Sequence, residues 1–301
     1  MNVYVAGNTH VGMKRAHNED SLFLLPEHDV YIVADGMGGH ASGEVASKMA
    51  VETVADFFRD TAEDDEITWP YRMDKARHYE ENRLINAIKL ANLRIYEASS
   101  ADPRKKGMGT TLVSVHLVNG GLYLGHVGDS RIYLIQPSGD IEQLTEDHSL
   151  LNDYIKMKDL TPEEIEHFPH KNVIVRALGM KETVMVDTVY VEPEVGDTVL
   201  LCSDGLTGMI TDETLVELTK GKQTQEELEQ ACGALIAAAN EAGGTDNITV
   251  VLAHFVEGDT KKSETAAPAA SDEDGDEDND MPTTEVVTVD PAPADEGDGE
   301  D

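Results

Sequence analysis

Four aspartates of this 301-residue chain share a local context that suggests metal chemistry. Each lies at one end of an apolar run and stands beside a glycine or in a glycine-rich turn: Asp35, Asp129 and Asp204 follow such a run, and Asp246 precedes one. A carboxylate at the end of a buried strand is costly unless something neutralises it, and adjoining glycines let a backbone carbonyl approach a ligand. Several such carboxylates that meet from different strands would attract a divalent cation. Because all of these donors are oxygens, Mg²⁺ or Mn²⁺ fits better than Zn²⁺.

A single Asp-Gly pair is most often only a turn, so the hypothesis depends on the four aspartates together with the acidic pair Glu19-Asp20. Arg15 adds a second cue, because it precedes this pair by four and five residues. A planar guanidinium beside a metal-binding carboxylate can hold two oxygens of a phosphate while the metals polarise the rest. Taken alone, an arginine near acids is usually a surface ion pair.

The apolar pattern predicts the elements that must position these residues. Short apolar runs bounded by turn residues predict strands at 3–6, 22–25, 30–34, 110–117, 121–127, 131–135, 185–191, 198–203 and 248–255. Helical spacing predicts helices at 43–58, 84–95, 211–219 and 225–242, with helix starts at Thr161 and Thr224. The Gly128-Asp129-Ser130 segment is interpreted as a hairpin tip. Strands in runs and helices in pairs favour an α+β fold of antiparallel sheets with helices packed outside them.

Composition excludes several classes of function. Fifty-nine acidic against 23 basic residues give a net charge of −36, which argues against a nucleic-acid binder and against docking on anionic lipid. No apolar run approaches the ~20 residues of a membrane helix, and the first residues lack a secretory leader. Only Cys202 and Cys232 are present, so a disulfide framework is not expected. We expect a cytoplasmic protein.

The chain changes composition near Gly258. Residues 258–301 contain 16 acidic and two basic residues and no aromatic residue, so they cannot bury enough surface to offset their ordering entropy. We predict a folded body over 1–257 and a disordered acidic tail over 258–301. One stretch of the tail has the ligand spacing of a calcium loop, but Asn279 stands where the turn needs glycine, which favours a solvated acidic run.

Six short motifs together resemble those of the metal-dependent protein phosphatases of type 2C, closest to their bacterial serine/threonine branch. They are Arg15-x-x-Asn18-Glu19-Asp20, Asp35-Gly36-x-Gly38-Gly39-His40, Gly109-Thr110-Thr111, Gly128-Asp129-Ser130-Arg131, Ser203-Asp204-Gly205 and Thr245-Asp246-Asn247. They occur in the order of that family and span residues 12–250. Each motif is weak by itself, but the ordered set is specific.

The resemblance implies a four-layer α-β-β-α sandwich, in which two antiparallel sheets are flanked by helix pairs and a flap is inserted at about 147–179. It also implies a metal site at one end of the sheets that holds two Mn²⁺ or Mg²⁺ ions and a third, weaker ion. By this likeness Asp35 bridges the two ions, with a contribution from the carbonyl of Gly36. The other implied ligands are Asp204 and Asp246 for the first ion, Asp20 and Glu19 for the second, partly through waters, and Asp129 with Asp204 for the third.

The same likeness implies that Arg15 grips the substrate phosphate, and that a hydroxide bridging two cations attacks phosphorus in line. The expected activity is hydrolysis of phosphoserine and phosphothreonine in proteins, by a monomer that opposes serine/threonine kinases. Met37 replaces a histidine that many eukaryotic relatives carry as a candidate general acid, so the proton donor is unassigned; a metal-bound water and His40 are the candidates. Two alternatives stay open, an inactive pseudophosphatase that only binds partners and a phosphatase of small phosphate esters.

Overall fold

A computed structural model describes residues 1–38, 42–63, 68–158, 160–166, 168 and 173–258. The strands within these residues form two antiparallel sheets. In chain order they are β1 (Asn2–His10), β2 (Asp20–Leu25), β3 (Val30–Met37), β4 (Gly109–Thr110), β5 (Leu112–Val118), β6 (Gly121–Val127), β7 (Arg131–Ile135), β8 (Ile141–Gln143), β9 (Asp187–Val191), β10 (Thr198–Cys202) and β11 (Ile248–Val256). One sheet has the order β1-β11-β10-β7-β8, and the other has the order β2-β3-β5-β6-β9 with β4 paired to β3.

The helices of the described residues are α1 (Gly43–Glu63), α2 (Tyr79–Ala101), α3 (Leu150–Met157), α4 (Pro162–Glu166), α5 (Asp204–Thr207), α6 (Asp212–Thr219) and α7 (Gln225–Glu241). The capping box predicted at the start of α7 is present, because the Thr224 hydroxyl accepts from the Glu227 amide and the Glu227 carboxylate accepts from the Thr224 amide. The same reciprocal pair forms between Thr161 and Glu164 before α4. Local sequence therefore determines where these two helices begin.

Three apolar clusters separate four layers. Alternate residues of β3 point to opposite sides: Ile32 packs with α1 and α2, whereas Val33 packs between the two sheets. In β10, Leu200 packs with α6 and α7, whereas Leu201 joins the layer between the sheets. Because both faces of these strands are buried, their sequences are continuous apolar runs rather than alternating ones. The predicted α-β-β-α sandwich with helix pairs outside is confirmed.

The predicted hairpin at Gly128-Asp129-Ser130 is wrong. The strand before it, β6, pairs with β5 and β9 in one sheet, whereas the strand after it, β7, pairs with β10 and β8 in the other sheet. Gly128 adopts φ +115, and a Cβ on it would lie 2.5 Å from the Thr111 side chain. The glycine turns the chain from one sheet to the other, so Asp129 stands where the two sheets meet.

Other expectations differ in extent or lie outside the described residues. Strands β1 and β3 extend beyond the predicted ends to His10 and Met37, and β8 was not predicted. The predicted flap contains α3 and α4. His40 and all but the first residue of the acidic tail lie outside the described residues. No helix in the described part of the chain has the length and apolar content needed to span a membrane.

Candidate metal centre

Two of the candidate carboxylates lie on neighbouring strands. Asp20 is the direct register partner of Asp35 across β2 and β3, so both side chains stand at the same end of that sheet. The backbone of Asp35 is fixed by its neighbours: its carbonyl accepts from the Thr110 hydroxyl and the Thr111 amide, each at 2.8 Å, and its amide donates to the Thr111 hydroxyl at 3.1 Å. The strand end therefore holds Asp35 in place while its carboxyl group faces the other acids.

The other sheet holds the Asp20 carboxylate through two hydroxyl groups. Oδ2 of Asp20 accepts from Ser203 Oγ at 2.8 Å and from Thr249 Oγ1 at 2.6 Å. Oδ1 of the same carboxylate is buried and has no hydrogen-bond partner among the described residues. A buried acceptor without a partner is unusual in a folded protein and calls for a bound ion or water.

A pocket of about 420 Å³ is lined by the other candidate carboxylates, those of Asp129, Asp204 and Asp246, and by Asp147, which is paired with Arg131. The charge of Asp204 also raises the pKa of the buried Asp35 carboxyl, so the two groups of acids adjoin. Gly205 permits this arrangement, because a Cβ there would lie 1.9 Å from the carbonyl oxygen of Asn247. Oδ1 of Asp129 is a second buried carboxylate oxygen that lacks a partner in the described part of the chain.

The acids raise one another's pKa values. Burial, opposed in part by the Thr249 and Ser203 hydroxyls, raises the pKa of Asp20 to about 6, and burial next to Asp204 raises that of Asp129 to about 7. Burial and the charges of the other aspartates also raise the pKa values of Asp35 and Asp204. A divalent cation would cancel the repulsion among the carboxylates and would give the two unpartnered oxygens a partner. The oxygen-only donor set and the two unpartnered oxygens fit Mn²⁺ or Mg²⁺.

Arg15 contacts this cluster directly. Its Nη2 lies 2.7 Å from Oδ2 of Asp246, and about half of its side chain is exposed. Asn247 holds the segment that carries Arg15, because its side-chain amide donates to the carbonyls of Val11 and His17, each at 2.9 Å. The guanidinium therefore stands at the solvent side of the acids, where it can reach an incoming anion.

Gly36 and Glu19 pack against the start of α1. The Gly36 amide donates to the Glu19 carbonyl at 3.1 Å, and a Cβ on Gly36 would lie 2.2 Å from the carbonyl oxygen of Gly43. No side chain fits at Gly36. The Glu19 carboxylate lies against Gly43, where the positive end of α1 favours a negative charge. The roles of Glu19 and Gly36 toward an ion stay predictions.

The sequence of this chain matches a known protein family. The family model described as protein phosphatase 2C matches residues 6–246. The chain belongs to the protein phosphatase 2C family. Members of this family depend on metal ions, and the resemblance seen in the sequence is confirmed.

Named relatives of this 2C-family chain are bacterial phosphatases. The serine/threonine phosphatase stp of Listeria monocytogenes is 39% identical over 249 residues, which cover 80% of this chain and 91% of that protein. Protein phosphatase PhpP of Streptococcus pneumoniae is 36% identical over 256 residues, which cover 84% of this chain and 98% of that protein. The chain is a protein phosphatase of this type.

Solved structures of the 2C family agree with this assignment. The serine/threonine phosphatase PstP/Ppp of Mycobacterium tuberculosis matches with a TM-score of 0.72 and 33% identity, over 85% of this chain and 99% of that chain. A catalytic domain of PstP in complex with two manganese ions matches with a TM-score of 0.68 and 32% identity, over 85% of this chain and 99% of that chain.

Sequence reasoning missed the hydroxyl groups that hold the acids of this 2C phosphatase. Ser203 belongs to one of the six motifs but has no predicted role there, and no role at the metal site is predicted for Thr249. Only the position of Ser203 next to Asp204 could have indicated its part. The thiol of Cys202 is buried, which raises its pKa to about 12 and makes it a packing group.

Proposed function

We propose that this phosphatase hydrolyses phosphoserine and phosphothreonine in proteins with Mn²⁺ or Mg²⁺ bound by its cluster of aspartates. The observation that carries the proposal is the buried Oδ1 of Asp20, which has no partner among the residues described although its carboxylate is held firmly through Oδ2. A carboxylate fixed with one oxygen free and surrounded by other carboxylates fits a cation site better than a structural hydrogen bond.

The proposed ligand set follows the positions of the side chains. Asp35 would bridge two ions, because it neighbours Asp20 on one side and Asp204 on the other. Asp204 and Asp246 would complete the first ion, and the carbonyl of Gly36 would contribute to one of the two ions. Asp20 and Glu19 would sit beside the second ion, partly through waters. Asp129 and Asp204 would hold a third, weaker ion in the pocket that they share.

The bound ions would supply Lewis-acid polarisation of the phosphoryl group and a lowered pKa for a water molecule. Arg15 contributes the other charge: its guanidinium, now paired with Asp246, can present two N–H groups to phosphate oxygens and stabilise the charge that develops on them. Cys202 takes no part as a nucleophile, because its thiol stays protonated near neutral pH. Residues of this chain that protonate the leaving oxygen are not assigned.

The substrate class rests on relatives that are named serine/threonine phosphatases, among them stp of Listeria monocytogenes and PstP/Ppp of Mycobacterium tuberculosis. We therefore propose that phosphoproteins made by serine/threonine kinases are the substrates, and that the protein acts as a monomer in the cytoplasm. An inactive pseudophosphatase that only binds partners is disfavoured, because all the aspartates of the motif set are present and lie together. A small-ester phosphatase differs in substrate only, so free phosphoserine is the discriminating substrate.

The test measures phosphate release from a phosphothreonine peptide and from free phosphoserine with Mn²⁺, Mg²⁺ or EDTA. Three proteins are compared: the unmodified chain, Asp204→Asn and Asp197→Asn. Asp197 is a matched control, since it is a buried aspartate directly before β10, whereas Asp204 follows that strand. Its Oδ2 accepts from the Glu194 amide at 2.9 Å, a bond that asparagine can keep.

We expect metal-dependent turnover of the peptide that EDTA and Asp204→Asn abolish and that Asp197→Asn retains. Turnover that survives Asp204→Asn would show that the metal site is assigned wrongly. Faster turnover of free phosphoserine than of the peptide would favour the small-ester phosphatase. Folded protein that binds the phosphopeptide without hydrolysing it under any metal condition would favour the binding module.

A further inference from the structure

His148, at the entrance of the flap, makes two hydrogen bonds to one glycine at the end of β6. Its backbone amide donates to the Gly128 carbonyl at 2.9 Å, and its ring Nδ1 accepts from the Gly128 amide at 3.0 Å. Both backbone polar groups of Gly128 are thus held by a single residue. His148 is buried, so these bonds are protected from competing water.

The second ring nitrogen of His148 determines which tautomer is present. Nδ1 accepts an N–H, so it carries no proton in the neutral ring, and Nε2–H donates to Oδ2 of Asp187 at 3.0 Å. Oδ1 of Asp187 in turn accepts from Arg176 at 2.9 Å. His126 stacks on the other side, with 4.7 Å between ring centroids and 17° between the planes. The ring is therefore fixed in position and in tautomer.

His126, His148 and Asp187 also have the side-chain types of a metal site, with possible ligand atoms within 4.8 Å of one another. The buried Nδ1 of His126 has no hydrogen-bond partner within the residues that the structure describes, which would favour an ion. However, an ion needs the lone pair of His148 Nε2, and the bond from Gly128 to Nδ1 requires the proton to be on Nε2. Hydrogen bonding of the ring and metal binding exclude each other here, so we assign the cluster a positioning role.

Gly128 directly precedes Asp129, and the residue after Asp129 is fixed as well. The Ser130 hydroxyl lies 2.7 Å from that of Thr111. Asp129 therefore stands between two anchored residues, while its own Oδ1 is left without a partner. This is the arrangement that a metal ligand needs, because a carboxylate is pre-organised only when its backbone cannot move.

We propose that His148 is a positioning residue that sets the place of Asp129 through the backbone of Gly128, with Asp187 and Arg176 fixing its tautomer. The inference rests on the proposed role of Asp129 as a ligand of the weakest ion. His148 also accepts at its carbonyl from the Val175 amide at 2.9 Å, and Val175 lies near the exit of the flap. The base of the flap and the Asp129 end of the metal centre are therefore one hydrogen-bonded unit.

Two substitutions distinguish the contributions of the two ring nitrogens of His148. His148→Asn places an amide oxygen near the position of Nδ1, so it can still accept from Gly128 while it loses the donor to Asp187. His148→Gln places its amide near Nε2, so it can still donate to Asp187 while it loses the acceptor for Gly128. A third substitution, Asp129→Asn, identifies the class of Mn²⁺ sites that includes Asp129.

Three measurements are made. The ¹⁵N shifts of the His148 ring in the unmodified chain give its tautomer, amide hydrogen exchange of Gly128 in EDTA reports its hydrogen bond, and electron paramagnetic resonance of free Mn²⁺ gives the binding isotherm. We expect an Nε2–H tautomer with an unprotonated Nδ1. We expect His148→Gln to speed exchange at Gly128 and to weaken the Asp129-dependent Mn²⁺ class about tenfold or more, whereas His148→Asn stays close to the unmodified chain.

An Nδ1–H tautomer in the unmodified chain would overturn the proposal before any variant is made. It would also be overturned if His148→Gln left both the exchange and the Mn²⁺ isotherm unchanged, or if both His148 variants weakened binding equally. Failure of the proposed function looks different: the isotherm of the unmodified chain would then contain no class that Asp129→Asn removes. In that case the tautomer and the exchange rate still decide whether His148 anchors Gly128.

Discussion

Asp129→Asn should stabilise the metal-free protein at alkaline pH and abolish part of the stabilisation by Mn²⁺. The Asp129 carboxylate is buried next to Asp204, and its Oδ1 has no partner, so its ionised form costs free energy in the folded state. The amide has nearly the same shape without the charge. A carboxylate that stabilises the protein only when it binds an ion should therefore lower the free energy of unfolding when the ion is removed.

The size of the effect follows from the pKa. Burial raises the pKa of Asp129 from 3.8 to about 7, and each unit corresponds to 1.36 kcal/mol, which gives up to about 4 kcal/mol. Because the folded protein holds the proton more tightly than the unfolded chain, the cost is absent below pH 3.8. It grows as the pH rises and is complete above pH 7. The metal-free unmodified chain should therefore lose stability through this window, and Asp129→Asn should lose less.

Urea unfolding in EDTA at pH 5 and pH 8 measures the free energy of unfolding for both proteins, and the same series with Mn²⁺ measures the gain on binding. We expect Asp129→Asn to be the more stable protein in EDTA by a larger margin at pH 8 than at pH 5, and the less stabilised one in Mn²⁺. The reasoning is refuted if Asp129→Asn is less stable in EDTA at pH 8, or if its margin over the unmodified chain does not depend on pH.

Arg15→Lys should lower kcat/KM for a phosphothreonine peptide about tenfold, because a charge-assisted hydrogen bond of the planar guanidinium is lost; steady-state kinetics with an unchanged kcat/KM would contradict this. Gly36→Ala should weaken Mn²⁺ binding and lower the free energy of unfolding, since its Cβ would lie 2.2 Å from the Gly43 carbonyl oxygen. Its control is Gly233→Ala in α7, where nothing lies within 4 Å of the new Cβ; calorimetry should show stabilisation of about 1 kcal/mol with Mn²⁺ binding intact. Thr224→Ala should remove about 1 kcal/mol of stability with kcat/KM unchanged, and an unshifted urea midpoint would count against the capping box.

The layers of the fold could be predicted because each strand and helix carries its burial pattern locally. The continuous apolar run of β3 indicates a strand with both faces covered, and the spacing of α7 with its Thr224 cap indicates a helix with one buried face. The aspartates could be found for a related reason. A charged residue at the end of a buried run is conspicuous in a sequence, because burial without a partner is costly.

The contacts that fix the acids could not be predicted, because they join distant parts of the chain. Ser203 and Thr249 hold Asp20 across 183 and 229 residues of sequence. The Gly128-Asp129-Ser130 segment shows the same limit. A short turn between two apolar runs has the local pattern of a hairpin, and only the pairing of β7 with β10 decides that the chain has crossed to the other sheet. Local sequence determines that a strand forms, but not which sheet it joins.

Because the chain crosses from one sheet to the other at Asp129, the metal centre lies where the two sheets meet. Asp20 and Asp35 belong to one sheet, Asp204 and Asp246 adjoin the strand ends of the other, and Asp129 stands on the connection between them. Without a cation, repulsion among these acids acts against the apolar layer that holds the sheets together. A bound cation reverses the sign of that force at the same place. Binding should therefore stabilise the packing of the two sheets by RT ln(1 + [L]/Kd), so that metal affinity and the free energy of unfolding change together in any variant that disturbs this end of the sandwich.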